Sequence, residues 1–232
     1  MNPADVATVF LAGASGDTGR NVLQLLSPRD VRVRALTRSP AKRGRLRRLG
    51  ADEVVVDDLL DPGDLTAAVD GADVVISAVG SAAADIRAGG PYVDGAGAQN
   101  LLDAALTADV EAFVMESAIG VGDAPASPLA AVFDLAIGPI QEAKAATEAA
   151  LRDASLRHTI LRPGILTNGP RTDAVAVADP GAKLWGAVSR ADVARLLIGA
   201  PVTDAAADRT LEVVSTPAFR GRALDIDWQL PG

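Results

Sequence analysis

The segment Thr8-Val9-Phe10-Leu11-Ala12-Gly13-Ala14-Ser15-Gly16-Asp17-Thr18-Gly19-Arg20 constrains this chain more than any other. A short apolar strand, Ala7–Ala12, runs into three evenly spaced glycines and then into a helix, Thr18–Leu26. Gly13 allows a sharp turn after the strand. Gly16 lets backbone approach a pyrophosphate with no Cβ in the way, and Gly19 lets the helix lie close on the strand. The first helical turn presents unpaired N–H groups and a positive dipole end, with Ser15, Asp17 and Thr18 beside them. Glycines so spaced also occur in plain turns. The preceding strand and following helix are the context that marks a dinucleotide-binding turn.

The remainder repeats that alternation. Strands are predicted at Val31–Thr37, Glu53–Val56, Asp73–Ala78, Ala112–Ser117, Thr159–Leu161 and Thr210–Val214. Helices are predicted at Ala41–Leu49, Pro62–Val69, Val93–Thr107, Ile140–Arg152 and Arg190–Ile198. Strands alternating with helices of this length imply an α/β fold, a doubly wound parallel sheet with helices on both faces. The continuously apolar strands Val54-Val55-Val56 and Val74-Val75-Ile76 suit a sheet covered on both sides. Gly120–Gly138, with Pro125, Pro128 and Pro139, reads as an irregular loop. No linker divides the 232 residues, so one domain is expected, with residues about 163–189 and 215–232 forming a small C-terminal lid or substrate lobe.

Composition narrows the chemistry. A net charge of −8 argues against direct nucleic-acid binding. With no cysteine and one histidine, His158, neither thiol chemistry nor a thiolate or histidine-rich metal site is available, and no metal is expected. His158, next to a strand, reads as a surface or packing residue. No apolar run is long enough to span a membrane and no secretory leader is visible, so the expectation is a cytoplasmic protein, monomer or homodimer, without membrane contact.

The end of the second strand selects the dinucleotide. NAD binders carry an acidic residue there for the ribose 2′-hydroxyl, whereas this chain has Thr37-Arg38-Ser39. Between Arg29 and Arg48 there are nine basic residues and one acidic one in an otherwise acidic chain. Most of them suit a solvated helix face. Arg38, supported by Lys42 and Arg43, fits the 2′-phosphate of NADP in charge and hydrogen-bonding geometry.

The G-x-x-G-x-x-G loop is followed in order by Val56-Asp57-Asp58-Leu59, Ser77-Ala78-Val79-Gly80, Asn100 to Ala105, Phe113 to Gly120, Leu161-Arg162-Pro163-Gly164 and Ser189 to Ala194. Across nearly its whole length the chain resembles the short-chain dehydrogenase/reductase superfamily, specifically its atypical, NmrA-like members, and so a Rossmann-type fold. The resemblance implies that Asp58 meets the adenine end and that Ala78, Val79 and Gly80 pass the dinucleotide. It also implies that the loop after Pro163 borders the nicotinamide pocket. Most reductases of the superfamily place a Tyr and a Lys four residues apart on one helix, with a Ser or Thr at the preceding strand's exit. Lys144 occupies the Lys position, but the Tyr position is Ile140 and the Ser/Thr position is Ala118. Ser117, one residue earlier, is a candidate contact for cofactor or substrate. Asp17, Glu116, Asp94 and His158 are further polar candidates, and none is assigned as a general acid.

Two readings follow. One is an NADPH-dependent oxidoreductase acting on a small conjugated acceptor (a quinone, flavin or enone) without a tyrosine acid. The other is a non-catalytic NADP-sensing regulator or scaffold. A sugar-nucleotide epimerase is disfavoured by the missing tyrosine.

Overall fold

The computed structural model describes residues 1–81, 85, 89–122, 128–181, 184, 186–215 and 223–232, with backbone alone for 128–137. Residues 123–127 of the segment expected to be irregular, with its Pro125, and residues 182, 183, 185 and 216–222 of the expected lid segments lie outside the described residues.

The β-branched runs form strands because their side chains pack well on a pleated surface. These are β1 (Thr8–Ala12), β2 (Arg32–Thr37), β3 (Glu53–Val56), β4 (Val74–Ser77), β5 (Ala112–Glu116), β6 (Arg157–Pro163), β7 (Ile165–Thr167), β8 (Ala176–Ala178), β9 (Ala187–Ser189) and β10 (Arg209–Val214). Eight of them build one sheet in the order β3-β2-β1-β4-β5-β6-β10-β8, parallel except for β8, which runs antiparallel to β10 at the edge. The register places Val9 between Val33 and Val74, so three apolar side chains stack across the centre of the sheet. β7 and β9 pair separately as a two-stranded parallel ribbon.

The helices are α1 (Asp17–Leu26), α2 (Arg43–Arg48), α3 (Leu65–Val69), α4 (Ala98–Thr107), α5 (Pro128–Asp153) and α6 (Arg190–Gly199). α1, α2 and α6 cover one face of the sheet through Val22, Leu23, Leu26, Leu46, Val193 and Leu197. α3, α4 and α5 cover the other through Leu65, Val69, Leu101, Leu102 and Leu151. The sheet is thus buried on both sides, as its continuously apolar strands require. α3 starts where the Asp64 side chain accepts the Ala67 N–H at 2.9 Å. α4 is entered through a single π-helical turn, Val93–Gly97, which buries Asp94.

The reading of Gly120–Gly138 as an irregular loop is corrected: α5 begins at Pro128 and runs through Pro139. Pro128 occupies the helix start, where the missing N–H costs nothing, and Leu129-Ala130-Ala131 are strong helix formers. An interior proline removes one helical hydrogen bond, which a 26-residue helix tolerates when its neighbours hold it. β7, β8 and β9 were also not foreseen, because three-residue strands carry too short a pattern to read.

One buried carboxylate ties the segment after β7 to α6. Asp192 accepts the Thr172 N–H, the Thr172 hydroxyl, the Asp173 N–H and the Ser189 hydroxyl, all at 2.8–2.9 Å. Ser189 in return accepts the Asp192 N–H at 3.0 Å and caps the helix. Burial pushes the Asp192 carboxyl pKa up, but the hydrogen bonds from Ser189, Asp173 and Thr172 outweigh it and leave it below the ordinary carboxylate value.

Candidate functional site

β1 lies between β2 and β4, so the chain moves outward along one side of the sheet and then returns to the other. At such a switch point the loops leaving the carboxyl ends of neighbouring strands diverge and open a crevice. A cleft lies there. Gly13, Ser15 and Gly16 form its floor, the end of β2 supplies Leu36, Thr37 and Arg38, and Asp57 and Leu59 come from beyond β3. Ala78, Val79, Gly80 and Val93 close the remaining side.

Backbone geometry makes this cleft possible. Gly13 has φ +79°, and a Cβ on it would stand 2.1 Å from the Ala78 carbonyl oxygen. A Cβ on Gly19 would stand 2.2 Å from the Gly13 oxygen, which fixes how closely α1 lies against the loop. The Gly16 N–H closes the turn on the Gly13 oxygen at 2.9 Å. The Lys42 ammonium donates to the Ser15 hydroxyl at 3.2 Å and so brings a second cation to the loop, while Arg38 lines the cleft. The cradle without side chains, the helix N-terminus and the two cations fit the phosphates of a dinucleotide.

Of the residues singled out for cofactor binding, Gly13, Ser15, Gly16, Arg38, Ala78, Val79 and Gly80 converge on the cleft. Asp57, not Asp58, is in its lining. Asp57 accepts the Asp58 and Gly63 N–H groups, at 2.8 and 3.0 Å, whereas Asp58 accepts the Leu60 N–H at 3.1 Å. Asp17 lies just beyond the loop, ion-paired with Arg20. Pro163 ends β6, and its carbonyl accepts the Ile119 N–H at 2.9 Å.

Thr18 and Lys144 belong to a buried network beside the cleft. The Lys144 ammonium is 2.7 Å from an Asp94 carboxylate oxygen and donates to the Glu116 carbonyl at 3.3 Å. Asp94 is fully buried, and its other oxygen accepts the Ser81 N–H at 2.6 Å. It therefore couples the turn after β4 to the lysine of α5. The Thr18 hydroxyl donates to a Glu116 side-chain oxygen at 3.0 Å, joining α1 to the end of β5. Burial pushes the Glu116 carboxyl above its usual range; the Lys144 charge and the Thr18 hydrogen bond oppose it and do not cancel it.

Ser117 faces the other way. Its hydroxyl donates to Glu148 at 2.6 Å, and Glu148 also accepts from Arg162 Nε at 2.9 Å and from Arg152 at 3.1 Å. Glu212, the cross-strand neighbour of Arg162, is raised in pKa by burial, which the Gly181 N–H and the Arg162 charge only partly offset. The sequence reading missed Glu148 and Glu212. Glu148 lies four residues beyond Lys144, on the stripe already containing Ile140, so helical spacing alone could have flagged it. Glu212, on β10, had no such signal. His158 sits at the opposite end of β6, with Nδ1 3.4 Å from Asp208. Among the described residues no group of three or more His, Cys, Asp or Glu side chains could hold a metal, and no helix is long and apolar enough to cross a membrane.

The NAD(P)H-binding family matches residues 13–202, and the chain belongs to it. A Bacillus subtilis protein named as an uncharacterized sugar epimerase is 31% identical over 82% of this chain and 86% of its own length. Sanguinarine reductase from Eschscholzia californica is 29% identical over 93% of this chain and 92% of its own. Among solved structures, one described as a putative NAD-dependent epimerase/dehydratase from Bacillus halodurans has a TM-score of 0.77 and 26% identity, covering 91% of this chain and 96% of that one. The fold is thus the Rossmann-like α/β fold of the short-chain dehydrogenase/reductase type.

Proposed function

We propose that the protein is an NADPH-dependent reductase of small conjugated acceptors that works without a tyrosine acid. The observation that carries this reading is Lys144, buried at the carboxyl edge of the sheet and held by Asp94 beside the dinucleotide cleft. A buried ammonium so placed suits the hydroxyls of a nicotinamide ribose. Arg38 and Lys42 favour NADP over NAD, since the 2′-phosphate matches a guanidinium in charge and geometry. When bound, the dinucleotide supplies hydride. The chain's residues hold it, orient it and exclude water from its reacting end.

Ile140, four residues before Lys144 and buried, can donate no proton. The acceptors that fit are therefore those whose reduced form takes its proton from water, such as quinones, flavins and enones. The same residue disfavours the sugar epimerisation suggested by the name of the Bacillus subtilis relative, because that chemistry moves a proton through the tyrosine. A second reading, a non-catalytic NADP sensor or scaffold, is favoured by Ser117, whose hydroxyl proton is committed to Glu148. Calorimetric titration with NADPH and NADH, beside NADPH oxidation against quinones, flavins and enones, separates these readings. Tighter NADPH binding with turnover supports the reductase. Tight binding without turnover on any acceptor leaves the sensor, and tighter NADH binding overturns the cofactor assignment.

A further inference from the structure

A second groove adjoins the phosphate loop. The two share a wall: Ser15 and Gly16 line the cleft and Asp17 lines the groove. Arg20 from α1, Arg45 from α2 and Arg190 from the start of α6 line it, together with Asn21 and Asn168. Three guanidiniums against the one carboxylate of Asp17 leave a local charge of +2 in a chain whose net charge is −8.

Arg20 and Arg190 are held in place but not used up. Arg20 donates to the Ser15 carbonyl at 3.1 Å and pairs with Asp17. Arg190 donates to Asn168 at 2.9 Å and to the Leu166 carbonyl at 3.4 Å. Arg45 is exposed and has no ion-pair partner among the described residues. Each guanidinium has five N–H donors, so all three keep donors free. On its α6 side the groove is built on the segment that follows Pro163: Asn168 directly follows β7, and β7 pairs with β9, which leads straight into Arg190.

We propose that this groove holds an anionic group of the acceptor, a carboxylate or sulfonate carried away from the conjugated core that receives hydride. The proposal rests on the reductase reading and adds a substrate class to it. Guanidinium groups match such a group in charge and in their forked N–H donors.

The test compares menadione with a naphthoquinone that carries a sulfonate at the end of a short alkyl chain. Their binding to NADP⁺-loaded protein, where no turnover occurs, is measured by calorimetry for the parent, Arg45→Ala and Arg190→Gln. The parent is expected to bind the sulfonate about tenfold tighter than menadione, a preference that falls with added salt. Both substitutions should remove most of it. Equal affinities in the parent, or an unchanged preference in both variants, overturn the proposal. Weakened NADPH binding in Arg45→Ala overturns it too, because the groove would then serve the dinucleotide's own phosphates. If the sulfonate binds as expected but NADPH reduces neither quinone, the groove stands and the reductase reading fails.

Discussion

The two ends of the proposed dinucleotide site are built by different means. At the phosphate end the chain uses backbone: a glycine at φ +79°, a turn closed by its own N–H, and a helix start. At the end proposed to hold the nicotinamide it uses side chains from distant points, with Asp94 and Lys144 joined in an ion pair beside the buried Glu116. Backbone sites tolerate almost no added volume but are indifferent to charge. Side-chain sites tolerate changes of volume and fail when one charge loses its partner.

Gly13→Ala should produce the largest effect on this contrast. The new methyl must move either the loop or the Ala78 turn, and both line the cleft. We expect NADPH affinity to fall on the order of 100-fold or more, with stability lowered by about 3 kcal/mol. Calorimetry and urea unfolding read the two effects. Unchanged NADPH affinity would show that the loop is not the phosphate cradle.

The next test isolates the ion pair. Lys144→Met leaves Asp94 buried without its cation, and Asp94→Asn leaves Lys144 without its anion. Each should cost about 3–5 kcal/mol in urea unfolding, and the double substitution clearly less than their sum. NADPH affinity should not follow stability: it should fall in Lys144→Met and stay low in the double variant. Recovery of affinity together with stability would make Lys144 a structural residue only.

The same contrast explains what was legible in the sequence. The strand, glycine turn and helix start were readable because their requirements are local. Glycine spacing, an apolar strand before it and Arg38 at the end of β2 all lie within the first 38 residues. The parallel sheet was readable because buried strands are continuously apolar. The reacting end depends on which residues become neighbours, and sequence distance hides that. Asp94 and Lys144 are fifty residues apart, and Glu212 reaches Arg162 only because β10 inserts beside β6. Asp57 rather than Asp58 lines the cleft because neighbouring residues leaving a strand point to different sides, a one-residue ambiguity that spacing cannot settle. Prolines read as helix breakers, yet Pro128 opens α5 and Pro139 lies within it, so its first turns are hidden from a sequence reading.

Arg38 is intermediate between the two ends, a side chain placed by the end of a strand. Arg38→Ala should cost NADPH about tenfold to a hundredfold in affinity and leave NADH little changed, as loss of a charge-assisted phosphate contact would. An equal loss for both cofactors would indicate a general electrostatic role instead.

The smallest effect should come from Glu116, and its sign is informative. Burial raises its pKa in the folded chain above the unfolded value, so between those two values the folded chain binds more protons than the unfolded one. Stability contributed by this group is present at low pH and is lost as pH rises through the folded pKa. Glu116→Gln keeps the size and can still accept the Thr18 hydrogen bond, but it cannot ionise. The variant should therefore melt higher than the parent at neutral pH and above, and the two should converge as the pH falls below the ordinary carboxylate range. Melting curves across pH read this directly. A variant that melts lower than the parent at neutral pH would mean that the Lys144 charge outweighs burial, and that the reacting end needs a carboxylate at position 116 as well as at position 94.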